Sequence, residues 1–136
     1  MNTETIRLEH AFLTVRDLDR SLAFYRKLFP AWVTRWSGKP SHGSRWVHFG
    51  PSGDGQPAYL SLCENTEAAD DSEPYETVRI QHIGFSHPDV NALIGELSRG
   101  GVEPSAELMD DGRYRRIYFA DPDGHELEFV QKLPAA

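Results

Sequence analysis

The stretch Phe119-Ala120-Asp121-Pro122-Asp123-Gly124-His125-Glu126-Leu127-Glu128-Phe129 reads as the end of one strand, a tight turn and the start of another. Pro122 presets φ for the first central turn position, and Gly124 takes a φ > 0 that other residues resist. Beyond the turn, side chains alternate between the two faces of a sheet. Glu126, Glu128 and Val130 therefore share one face, and Leu127 and Phe129 the other. A carboxylate on a short terminal strand is unremarkable alone. It gains meaning from two histidines, His10 and His82, which occupy matching places in a duplicated unit.

The duplication is read residue by residue. Residues 7–15 alternate as a strand, with Leu8, His10, Phe12 and Thr14 on one face. Asp17 is an N-cap, Leu18, Leu22, Tyr25 and Phe29 follow at helical spacing, and Pro30 stops the helix. Strands are then expected over residues 31–36, 45–50 and 58–64, the last two joined by the Gly- and Pro-rich residues 51–57. The second half repeats this order. A strand over 78–86 carries His82, and Asp89 begins a helix whose apolar Val90, Ile94 and Leu97 lead to a stop at Gly100-Gly101. Strands follow over 103–109, 114–119 and 126–132. Setting His82 on His10 places Asp89 on Asp17, Val90 on Leu18, Ile94 on Leu22 and Leu97 on Tyr25, a period of 72 residues.

The predicted fold is therefore α+β: two βαβββ modules, residues 6–64 and 77–133, within a single domain spanning 1–136. Each module is expected to form a curved mixed sheet with one helix on its outer face. Pairing them sets the inner faces around one cleft, with His10 and His82 opposed across a pseudo-two-fold axis. Residues 65–76, with Glu67, Asp70, Asp71 and Glu73, read as a solvated acidic linker rather than a cation loop, because the alternating ligands and the glycine of calcium loops are missing.

Composition narrows the partners. With 136 residues, 39% hydrophobic and 26% charged, the chain is long enough to bury a core without staples. A formal net charge of −7 argues against nucleic acid. One cysteine, Cys63, precludes an internal disulfide framework, which suits a reducing cytoplasm. The sequence contains no long apolar run for a membrane span, and the N-terminal residues lack the basic and apolar regions of a secretion signal.

The double βαβββ pattern, the Leu-Glu-His-Ala-Phe start, the Asp17-Leu-Asp-Arg-Ser-Leu-Ala-Phe-Tyr helix and the Asp-Pro-Asp-Gly-His-Glu-Leu-Glu ending resemble the vicinal oxygen chelate superfamily. That group includes glyoxalase I, extradiol dioxygenases, fosfomycin-modifying transferases and bleomycin-binding proteins. The resemblance covers nearly the whole chain and implies a glyoxalase-like fold built around a metal cleft. It places the metal ligands at His10, His82 and Glu128. The remaining family position, a glutamate in glyoxalase I, falls on Ser61. Glu64, three residues on, has the wrong strand parity to substitute.

Two imidazoles and one carboxylate suit one divalent ion, Fe(II), Mn(II), Zn(II) or Ni(II), and leave positions open for a small-molecule substrate with vicinal oxygens. Tyr118, just before the turn, matches a substrate-contacting tyrosine of fosfomycin-modifying members, with a rim aromatic as the alternative. His48 is an acid–base candidate if it faces the cleft. Ser61, Phe12, Trp46 and Arg116 are the candidate substrate-binding side chains. The alternative for Arg113, Arg115 and Arg116 is a solvated strand edge. His42 and His125 are expected to be exposed, and Cys63 has no basic neighbour in sequence to activate it as a nucleophile.

The resemblance implies a metal-dependent enzyme of the dioxygenase or glyoxalase type, and a homodimer. Fosfomycin-type thiol transfer is weakened by Phe12, which stands where those members carry threonine. The contrasting expectation is a metal-free drug binder of the bleomycin-resistance kind, with Trp32, Trp36 and Trp46 lining an aromatic groove.

Overall fold

The structure is a computed structural model, and it describes residues 6–39, 44–53, 58–69 and 75–135. His42, Asp70, Asp71 and Glu73 lie outside the described residues. The chain divides into two compact units, Met1–Ala69 and Asp70–Ala136.

The first unit runs β1 (His10–Val15), α1 (Leu18–Leu28), β2 (Trp32–Gly38), β3 (Trp46–Pro51) and β4 (Tyr59–Glu64). Its sheet order is β1-β4-β3-β2, with β1 parallel to β4 and the other pairs antiparallel. Asp17 caps α1 by accepting from the Arg20 amide at 3.0 Å, and Glu64 accepts from the Leu18 amide at 2.9 Å. These bonds satisfy amides that the first helical turn leaves without partners. Leu18, Leu22, Tyr25 and Leu28 form the buried face of α1, and Leu13, Val15, Val47, Phe49, Leu60 and Leu62 are the buried residues of the sheet.

The second unit repeats the plan with β5 (His82–Ser86), α2 (Val90–Arg99), β6 (Met109–Asp110), β7 (Tyr114–Ala120) and β8 (Glu126–Lys132), in sheet order β5-β8-β7-β6. Asp89 caps α2 through the Ala92 amide at 3.0 Å. The helix ends in a Schellman arrangement, with Gly101 at φ 83°, its amide bonded to Ser98 O and the Val102 amide to Leu97 O. The core joins Val90, Leu93 and Leu97 to Ile117, Phe119, Leu127 and Phe129.

The α+β reading with two βαβββ units holds, while several element ends move. The strand expected from residue 78 begins only at His82. The Gln81 side chain folds the preceding turn onto itself, accepting from the Tyr75 amide and donating to the carbonyls of Thr77 and Arg79. Likewise β1 starts at His10, because its partner β4 starts at Tyr59. The strand expected over 103–109 shrinks to two residues, tied to β7 upstream by the Ser105 amide on Tyr118 O. Pro104 offers no amide to lengthen that ladder.

The turn after β7 forms as its composition demands. Gly124 sits at φ 87°, and its amide donates to Asp121 O. The buried Asp121 carboxylate accepts from the amides of Asp123 at 2.9 Å and His125 at 2.8 Å. This geometry draws His125 inward to half-burial, correcting the expectation that it is exposed.

Candidate functional site

Strand pairing decides which side chains share a face. In the second unit Gly84 lies opposite Glu128, and Glu128 opposite Tyr118. His82, Glu126, Glu128, Tyr118 and Arg116 therefore stand on the face away from α2. Glu128 is 7% exposed there. Its Oε2 lies 2.8 Å from His82 Nε2, and its Oε1 lies 3.4 Å from Arg116 Nε. A buried carboxylate requires such partners, since desolvation without them is costly. Gly84 presents no side chain over this carboxylate, and a Cβ there would meet nothing within 4 Å.

Tyr118 sits edge-on to His82, ring centroids 5.6 Å apart, directly across the strand pair from Glu128. Burial pushes its hydroxyl pKa up, with the charges of Glu128 and Glu126 adding to the effect. Tyr118 thus stays protonated at neutral pH. Arg116 also pairs with Asp111 at 3.0 Å, and Arg115 with Asp110 at 2.9 Å. Both arginines are half-buried. Beside β5, β7 and β8 an open groove of about 600 Å³ is lined by residues including Ser86, Tyr114, Val130 and Lys132.

One residue that the sequence did not single out is Tyr75. Its backbone is left-handed, φ 67°, which is uncommon for a non-glycine residue. Its hydroxyl donates a short hydrogen bond to Glu126 and lies 3.5 Å from His82 Nδ1. Burial, and then the Glu126 carboxylate, push its pKa up to about 12. The acidic surroundings at 65–76 masked it as linker.

In the first unit the register sets His10 beside Tyr59, Phe12 beside Ser61, and Ser61 beside His48. His48 thus shares the face of His10 and Ser61, which settles its orientation. Burial, then the nearby His10 and Arg35, lower its pKa, so it is neutral at neutral pH. His10 is exposed, with Glu9 Oε1 2.9 Å from its Nδ1. That bond, together with one from the Tyr59 hydroxyl, holds the Glu9 carboxyl below the usual range.

Rings continue across this face. His10 stacks on Tyr59 at 5.0 Å, His48 lies 4.6 Å from Tyr59, Trp46 lies 5.0 Å from His48, and Trp36 contacts both Trp46 and His48. A Cβ on Gly38 would come within 2.9 Å of the Trp46 ring, so glycine there lets the indole lie across the strand. Arg35, at the β2 bulge, places its guanidinium over Tyr59. Trp32 does not join the groove expected of it, because it stacks on Phe29 at 4.0 Å and leans toward buried Phe49. Glu64 points to the other face, as its parity requires, and pairs with Arg45 at 2.7 Å. Cys63 is half-buried on the Ser61 face.

The structure thus brings His82, Glu128, Tyr118 and Arg116 together on one sheet, and His10, His48, Ser61, Trp46 and Phe12 on the other. Among the described residues, no group of three His, Cys, Asp or Glu side chains gathers at ligand distance. No helix among them is long and apolar enough to cross a membrane.

Comparison with known proteins places this geometry. The sequence model of the Glyoxalase/Bleomycin resistance protein/Dioxygenase superfamily matches residues 7–129. The chain is 28% identical over 130 residues to a lactoylglutathione lyase of Neisseria meningitidis, covering 93% of this chain and 91% of that protein. It is 26% identical over 129 residues to a lactoylglutathione lyase of Haemophilus influenzae, covering 93% of each. Among solved structures, a glyoxalase family protein from Enterococcus faecalis aligns with a TM-score of 0.79 at 16% identity, over 93% of this chain and 98% of that one. The fosfomycin resistance protein FosX of Listeria monocytogenes aligns with a TM-score of 0.72 at 23% identity, over 93% and 94%. At those identities the structural likenesses carry the fold alone. Matched from before β1 into β8, this chain belongs to the Glyoxalase/Bleomycin resistance protein/Dioxygenase superfamily, whose fold is that of the vicinal oxygen chelate proteins.

Proposed function

We propose that this chain is a divalent-metal-dependent enzyme of the glyoxalase or dioxygenase type, with His10, His82 and Glu128 as protein ligands and a small molecule bearing two adjacent oxygens as substrate. The observation that carries the reading is the pairing of His82 Nε2 with Glu128 Oε2 at 2.8 Å on adjacent strands. Two donors that each sit about 2.1 Å from one ion are about 3 Å apart, so this pair fits a shared ion. The donor set, imidazole and carboxylate, suits Fe(II), Mn(II), Zn(II) or Ni(II). When bound, such an ion supplies Lewis-acid polarisation of the substrate oxygens.

The chain's own residues supply the remaining functions. His48, neutral and directly across from Ser61, stands where it can accept a proton that the absent second carboxylate would otherwise take. Tyr118 keeps its proton beside Glu128 and offers a donor to developing negative charge. Arg116 holds the charge balance around Glu128, and the Trp46, Trp36 and Phe12 side chains give the apolar part of a substrate a surface to lie on. The relatives named lactoylglutathione lyase favour the lyase side of this reading. The apolar lead-ins Ile6, Leu8, Val78 and Ile80, all exposed and repeated at equivalent positions, support a homodimer that covers them.

Elemental analysis of anaerobically purified protein, with Glu128→Ala alongside, tests the metal. Near-stoichiometric metal lost in the variant is expected. Iron directs assays to ring-cleavage substrates with oxygen uptake, and zinc, nickel or manganese to a thiol hemithioacetal. The aromatic face of the first unit favours a second reading, a metal-free small-molecule binder. It prevails if neither protein takes up metal after reconstitution.

A further inference from the structure

Each candidate ligand histidine has a carboxylate and a tyrosine on its Nδ1 side. At His10, Glu9 Oε1 is 2.9 Å from Nδ1 and also accepts from Tyr59 Oη at 3.1 Å. At His82, Tyr75 Oη is 3.5 Å from Nδ1 and donates to Glu126. The two sets are built from different parts of the fold. Tyr59 is the register partner of His10 and its carboxylate precedes that histidine, whereas Glu126 is the register partner of His82 and its tyrosine comes from the segment before β5. The two units thus exchange the roles of the register-paired position: it carries the tyrosine in one and the carboxylate in the other.

We propose that the Glu9–Tyr59 and Glu126–Tyr75 pairs are positioning residues that hold the proton of each imidazole on Nδ1, leaving Nε2 as the metal-binding nitrogen. The inference rests on the metal reading above. A hydrogen bond at one ring nitrogen sets which tautomer is present and the direction of the other nitrogen's lone pair. The Tyr75 hydroxyl has one proton, and Glu126 takes it, so the oxygen faces His82 as an acceptor and calls for Nδ1–H. The left-handed backbone at Tyr75 is the conformation that this placement accompanies.

The test uses zinc, which is diamagnetic, and imidazole nitrogen NMR of the zinc-loaded protein, with zinc affinity measured by chelator competition. Zinc on Nε2 with a slowly exchanging Nδ1–H is expected at both histidines. Tyr75→Phe and Glu126→Gln should each weaken zinc binding by about 10- to 100-fold and speed exchange at His82 alone; Glu9→Gln should do the same at His10 alone. Zinc on Nδ1, or wild-type affinity in Tyr75→Phe and Glu126→Gln with His82 still ligating, would overturn the inference while leaving the metal reading intact. A wild-type protein that binds no zinc, iron, manganese or nickel would instead overturn the metal reading, and this inference with it.

Discussion

At the scale of single residues, the site is a matter of which strand face a side chain occupies. Glu128 and Ser61 hold equivalent places on the last strands of the two units, each opposite a chemically active neighbour, Tyr118 in one case and His48 in the other. One position is a carboxylate paired with His82 and Arg116, and the other a hydroxyl beside a neutral imidazole. Ser61→Glu would add a fourth protein ligand, and a second anionic one, beside His48. Zinc or manganese titration should then show binding tighter by tenfold or more, because an added carboxylate at a transition-metal site contributes on the order of 1–2 kcal/mol. Unchanged affinity would place Ser61 away from the ion. Repeat and strand parity singled out His82 and Glu128, and the family resemblance added Tyr118 and Ser61. It passed over Tyr75 and Glu9, whose roles are hydrogen bonds made across a sheet or from a turn.

At the scale of elements, both helices are held by the same two devices, an aspartate at the N-cap and a last-strand side chain that accepts from the first helical amide, Gln131 for α2 at 3.0 Å and Glu64 for α1. Glu64, the last residue of β4, reaches the Leu18 amide and the Arg45 guanidinium together. The Arg45 contact first, and the Leu18 amide second, hold its carboxyl below the usual range. A lowered folded-state pKa stabilises the fold above the unfolded carboxylate's pKa, near about 4.3, and that contribution disappears as pH falls through the folded value. Glu64→Gln should therefore lower stability at pH 7 by about 1–2 kcal/mol, as for a lost hydrogen bond to a charged group. The difference from wild type should shrink toward pH 3. Urea denaturation at the two pH values checks this, and an equal deficit at both would assign the loss to packing. Strand parity in the sequence already set Glu64 on the opposite face from Ser61. It did not show what Glu64 does, because its partners lie 46 and 19 residues away.

At the scale of the whole molecule, the lead-in segments before β1 and β5 leave Ile6, Leu8, Val78 and Ile80 on the surface. Replacing Leu8 and Ile80 together by serine should shift a dimer toward monomer in sedimentation equilibrium while the circular dichroism of the units stays unchanged. A monomeric wild type, or a variant as dimeric as wild type, would rule out these segments as the contact.

What the sequence determined by itself is whatever depends on local periodicity and on repetition. Alternation in β8, helical spacing after Asp17 and Asp89, the Asp-Pro-Asp-Gly turn and the 72-residue period between His10 and His82 led to two βαβββ units and to the faces of the candidate ligands. What only the tertiary structure decided is whatever depends on pairing partners. Strands ended where their neighbours ended, as β1 and β5 did. His125 was drawn in by the Asp121 carboxylate, Trp32 was claimed by Phe29 and Phe49, and Tyr75 was delivered to His82 by a turn organised around Gln81. The physical reason is the same in each case. Backbone periodicity is a property of neighbouring residues, whereas a hydrogen-bond or ring partner is chosen by the fold from residues far apart in the chain.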